Sequence, residues 1–81
     1  LPPADHLLFL RYGDRPGVVG KVGNALGLAN INIASMQVAR NSAGGEALMA
    51  LTVDSGIPKD VADQIKTETG ANLVRTVSLR S

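Results

Sequence analysis

An α+β fold of the ferredoxin-like kind, βαββαβ, with a four-stranded antiparallel sheet and both helices on one of its faces, is what this 81-residue sequence predicts. Short apolar or alternating runs and two stretches with helical spacing follow one another in the order strand, helix, strand, strand, helix, strand. Breaks rich in Gly, Pro, Asn and Ser separate the runs, and the length leaves room for one domain only.

The elements follow in order. Leu7, Leu8, Phe9 and Leu10, within His6 to Tyr12 and closed by Gly13, have the length and bounding of a buried strand. In Asp14-Arg15-Pro16-Gly17, Asp14 is placed to cap a helix and Pro16 suits an early helical position. Val18, Val22, Leu26 and Ala29 then recur at the spacing of a helix of about three turns. Asn30 and Asn32 bracket its exit. Ile33 through Arg40 reads as a strand with Ala34, Met36 and Val38 on one face and Ser35 and Gln37 on the other. Asn41-Ser42-Ala43-Gly44-Gly45 has turn chemistry, and Ala47, Met49, Leu51 and Val53 alternate up to Asp54, which completes a hairpin. Ser55-Gly56-Ile57-Pro58 breaks the pattern. Val61, Ala62 and Ile65 then define one side of a second helix, with Lys59, Asp63 and Lys66 on the other and Gly70 at its C-terminus. The last strand sets Leu73, Val77 and Leu79 against Val74, Thr76 and Ser78. In this topology the strands that follow the helices lie at the two edges of the sheet. The Ile33–Arg40 edge carries little to blunt it, so pairing with a second copy there is the expectation.

Composition narrows the function. A net charge of +1 gives no basic footprint for nucleic acid, and the two aromatic residues, Phe9 and Tyr12, are too few for a base-stacking sheet. With no cysteine there is no disulfide, thiolate zinc site or catalytic thiol. No apolar run approaches the ~20 residues of a membrane span, and Leu1–Asp5 lacks the regions of a signal peptide. A cytoplasmic domain is expected, with residues 1–5 a linker remnant and 6–81 the folded unit. His6 is the only histidine and has no companion ligand, Ser, Asp and His are too scattered for a triad, and Asp60 and Asp63 belong to a solvated helix face. Neither catalytic residues nor a metal site are expected.

The segment Tyr12 to Gly17 is the most informative, because a carboxylate, a guanidinium and a helix N-terminus converge in one loop. Free N–H groups at a helix start attract an anion such as an α-carboxylate, and Asp14 offers an acceptor to an ammonium group. The plainer alternative is Asp14 as an N-cap and Arg15 as a solvated charge. Glycines 17, 20, 23 and 27 fall along one strip of the first helix, at a cost of about 1 kcal/mol for each interior position relative to alanine. Close approach by a backbone or ligand is one explanation and a tolerant surface the other. They do not form GxGxxG, and Gly20-Lys21 precedes Val22 where a phosphate loop needs Ser or Thr, so no nucleotide site is expected. Asn32 has the amide to donate and accept near the second strand, whereas Asn30 reads as a turn residue.

Tyr12-Gly13-Asp14-Arg15-Pro16-Gly17-Val18-Val19, followed by Asn30-Ile31-Asn32-Ile33-Ala34, resembles the signature of the ACT domain family. The resemblance runs from His6 to Leu79 and is greatest to the serine-sensing type that ends D-3-phosphoglycerate dehydrogenases. It implies a homodimer joined through the first helix and second strand, with two equivalent effector sites at the seam. Carried over, Tyr12, Asp14, Arg15, Pro16, Gly17 and Val18 of one copy and Asn32 of the other hold a small amino acid, L-serine. It further implies upstream domains that use NAD, with no cofactor in these residues. An ACT domain of another enzyme, sensing a different amino acid or serving only dimerisation, is the alternative. A small acylphosphatase-like enzyme would have to rely on Arg15, without the surrounding loop such enzymes share.

Overall fold

The computed structural model describes residues 5–41 and 45–79. Its elements are β1 (His6–Gly13), α1 (Val18–Leu28), β2 (Ile33–Asn41), β3 (Glu46–Val53), α2 (Lys59–Thr69) and β4 (Leu73–Ser78). The sheet order is β2-β3-β1-β4 with every neighbouring pair antiparallel, so β2 and β4 are the edges as expected. The expected linker falls largely, and the centre of the hairpin turn wholly, outside the described residues.

Alternation along the two central strands places the core. Leu8, Leu10 and Tyr12 of β1 and Ala47, Met49, Leu51 and Val53 of β3 are buried on the helix-facing side. Val18, Val22, Ala25 and Leu26 of α1 and Ile65 of α2 complete the same cluster. Four of these on α1 fall within one stripe of a 3.6-residue period, which fixes the helix's orientation on the sheet. On the side away from the helices, Leu7, Phe9 and Arg11 of β1 stand in register with Thr52, Ala50 and Leu48 of β3 and with Val77, Arg75 and Leu73 of β4.

Two expectations about local geometry are corrected. Ala34 does not share a face with Met36 and Val38: the register slips between Ile33 and Ser35, a bulge that leaves Ile33 on the core side with Met36 and turns Ala34 to solvent. Strand parity carried back from Met36 therefore fails at the bulge. Pro16 lies in the turn and the helix begins only at Val18, with Gly17 at its N-cap at φ 92°, a left-handed conformation that suits glycine. The C-terminus of α2 follows expectation, with Gly70 at φ 67° and its N–H bonded to the Lys66 carbonyl at 3.0 Å.

Candidate functional site

One end of the sheet gathers the loop between β1 and α1, the end of β2 and the start of β3. The Asp14 N–H donates to the Gly45 carbonyl at 2.9 Å, which ties the loop to the start of β3. Its carboxylate does not cap α1. Arg40, reaching from the end of β2, brings its Nε to 3.0 Å from Asp14 Oδ2 and 3.3 Å from Oδ1. The expectation of an Asp14 cap is overturned because this cation, together with the Gly45 contact, holds the residue short of the helix. As a result α1 starts with no side-chain cap and no acid in its first turn, which leaves its positive end open to an anion.

Tyr12 is buried beside this ion pair. Burial raises the phenol pKa above its ordinary value, the Asp14 charge raises it further, and Arg40 opposes them. Pro16 and Gly17 are exposed in the turn, whereas the Val18 side chain lies in the core, so that residue can offer a ligand only its backbone.

Arg15 points elsewhere and is not a free surface charge. Its guanidinium donates through Nη2 to the Thr69 carbonyl at the C-terminus of α2, and Lys21 Nζ reaches the adjacent Glu68 carbonyl at 3.1 Å. Two cations, one in the loop before α1 and one in its first turn, thus complement the negative end of α2. Sequence spacing could not show this, since the partners lie about 50 residues apart in the chain.

Asn32 is at the opposite end of the sheet. Its N–H and its Nδ2 donate to the two carboxylate oxygens of Asp54, each at 3.0 Å, and the Asp54 N–H returns a bond to the Asn32 carbonyl at 3.1 Å. The seven steps along β3 that separate the two ends correspond to about 24 Å, far more than an amino acid spans. Within one copy, therefore, Asn32 and Asp14 do not meet. Asn30 is the turn residue, at φ 60°.

The Asp54 clasp was not read from the sequence, although an acid following the β3 alternation was in plain view. The Asn32 N–H, more than any other cause, holds the Asp54 carboxyl below its usual pKa. A carboxylate with a depressed folded pKa stabilises the fold above its unfolded pKa, and that contribution is lost as pH falls. The gap in urea midpoint between the parent and Asp54→Asn should be widest at neutral pH and close as pH drops through the carboxylate range. A gap that does not change with pH would show that the clasp contributes no charge-dependent stability.

Glycines 20, 23 and 27 lie on the side of α1 opposite its buried stripe, and a Cβ added at any of them would meet nothing within 4 Å. Neither the sheet nor α2 explains them. Among the described residues no group of three or more His, Cys, Asp or Glu could hold a metal ion, and no helix is long and apolar enough to cross a membrane.

The fold is a small α+β domain of βαββαβ order with an uncapped helix start beside Asp14, and the ACT domain profile matches residues 6–70. The chain belongs to the ACT domain family. It is similar to the D-3-phosphoglycerate dehydrogenase of Synechocystis sp., with 42% identity over 98% of this chain and 14% of that protein. The D-3-phosphoglycerate dehydrogenase of Methanocaldococcus jannaschii is 45% identical over 79% of this chain and 12% of its own length. The chain thus spans only 12–14% of these relatives. Among solved structures, a formyltetrahydrofolate deformylase from Pseudomonas syringae pv. tomato superposes with a TM-score of 0.76. The match covers 89% of this chain and 26% of that one at 22% identity, which is a likeness of fold.

Proposed function

We propose that this domain is the feedback sensor of a D-3-phosphoglycerate dehydrogenase and binds L-serine at the seam of a homodimer. One observation carries the reading: α1 begins uncapped next to Asp14, at the opposite end of the edge strand from Asn32. An effector carboxylate would take the free N–H groups at Gly17 and Val18, and its ammonium would compete with Arg40 for Asp14. A two-fold, antiparallel pairing of β2 edges would bring Asn32 of one copy to the partner's Asp14 and create two equivalent sites. The exposed glycine strip of α1 would let the helices approach across that seam. Tyr12, being buried, would support the loop from below, and Arg15 would hold it against α2 without touching the effector.

The relatives' shared name supports placing the domain in an enzyme of serine biosynthesis, a cytoplasmic, NAD-dependent oxidoreductase whose catalytic domains lie outside these residues. The domain itself would carry no catalysis and no cofactor. Regulation requires the effector to bind one state of the assembly more tightly than another.

The test is isothermal titration of the purified chain with L-serine, with glycine, L-alanine and D-serine as controls, alongside its mass by light scattering. A dimer with saturable L-serine binding is expected, weakened at least tenfold by Asp14→Ala and by Asn32→Ala, a loss of about 1.4 kcal/mol or more. A dimer that binds no amino acid would leave an assembly module. One that prefers a control would point to a different host enzyme, and a monomer would overturn the shared site.

A further inference from the structure

A hollow of about 330 Å³ lies at the end of the sheet near the start of β3, lined from the face away from the helices by Arg11, Ala39, Glu46 and Leu48, and bordered by Arg40 and Ala47, which by register belong to the other face. Register explains its shape. Arg11, Leu48 and Ala39 stand side by side across β1, β3 and β2, and Glu46 is one pleat further along β3 on the same face. The small side chain of Ala39 and the aliphatic Leu48, 47% exposed, make an apolar floor between two opposite charges.

Those charges do not neutralise each other. Glu46 is held by Asn72, whose Nδ2 donates to Oε2 at 2.9 Å while the Asn72 N–H bonds the Arg11 carbonyl at 2.9 Å. Arg11 has no ion pair within 4 Å among the described residues, Glu46 included. The third charge of the hollow, Arg40, is balanced by Asp14 through its Nε. A carboxylate held by Asn72 and a guanidinium with no ion pair among the described residues therefore share one hollow, above an apolar floor and without contact between them.

We infer that this hollow is a second small-molecule site, for a zwitterionic α-amino acid with a small or apolar side chain. The ligand carboxylate meets Arg11, its ammonium meets the Oε1 side of Glu46, and its side chain lies on Leu48 and Ala39. A simple anion is disfavoured by Glu46 and a simple cation by Arg11. The volume is at the lower end for ligand pockets, in keeping with a small occupant. Arg40 borders both sites, but the two charges that would hold this ligand, Arg11 and Glu46, take no part in the proposed effector seam, and the site uses neither Asn32 nor the helix N-terminus.

The test is an amide chemical-shift titration of the chain with glycine, L-alanine, L-valine and L-serine, and with propionate and ethylamine as half-ligands. Saturable shifts at Arg11, Ala39 and Leu48 are expected with at least one amino acid and at least tenfold weaker with either half-ligand. Arg11→Gln and Glu46→Gln should each weaken them tenfold or more, while Asn32→Ala leaves them in place even if it abolishes binding at the seam. Equal response to propionate would reduce the hollow to an anion contact and overturn the inference. So would the absence of saturable shifts there, or shifts indifferent to Arg11→Gln.

Discussion

Leu10→Ala is expected to lower the free energy of unfolding by about 2–5 kcal/mol. Leu10 is wholly buried at the centre of β1, opposite Met49 on one side and Val74 on the other, in the cluster closed by α1 and α2. Truncation there removes apolar burial and leaves a cavity that two flanking strands cannot both move to fill. A chain of this length has a total stability of about 4–12 kcal/mol, so the substitution removes a large share of it. The urea midpoint should fall with an unchanged slope. Phe9→Ala is the matched control, since Phe9 is half-buried on the face away from the helices and should cost clearly less despite its larger side chain. If the two substitutions cost the same, the helix-facing side is not where the stability lies.

Gly70→Val should destabilise by about 2–3 kcal/mol, from left-handed strain and a weakened hydrogen bond together. Gly70 sits at φ 67° and ψ 22°, where a β-branched residue is strongly disfavoured. A Cβ there would also stand 3.0 Å from Arg15 Nη2, so the guanidinium must shift by a few tenths of an ångström, which loosens its bond to the Thr69 carbonyl. Thermal melts of Gly70→Val, Arg15→Ala and the double variant separate the two causes. The double variant should cost less than the sum, because removing Arg15 also removes the crowding that the new Cβ would meet. Strict additivity would show that Arg15 has no energetic tie to the end of α2.

The architecture was legible in the residues wherever local periodicity and core packing agree. Ala47, Met49, Leu51 and Val53 alternate in the sequence and are buried in the structure, and Gly70 ends α2 as its position implied. Local pattern misled where a long-range contact or an inserted residue intervened. Ala34 obeys strand parity in the sequence, yet the bulge consumes it. Asp14 has the spacing of a cap, yet Arg40, 26 residues away, takes its carboxylate. The loop was identified as the place to look, but the division of labour within it was not. Tyr12 is in the core, Arg15 serves α2, and Asp14 and the bare helix start are what remain accessible. Arg11 and Glu46 passed unnoticed because no spacing rule joins residues 35 apart, and only sheet register places them around one hollow.

The clasp between Asn32 and Asp54 has a consequence for any molecule that docks at that end of the sheet. An exposed amide normally samples several rotamers and loses that freedom on association, at about 0.5–1.5 kcal/mol per side chain. Here the Asn32 amide is already held by its Nδ2 bond to Asp54, whose other carboxylate oxygen is anchored by the Asn32 backbone N–H, so its entropy is surrendered during folding and its Oδ1 is presented in one orientation. Preorganisation of this kind favours a partner whose donor fits that one direction, and it ties selectivity at Asn32 to the protonation of Asp54.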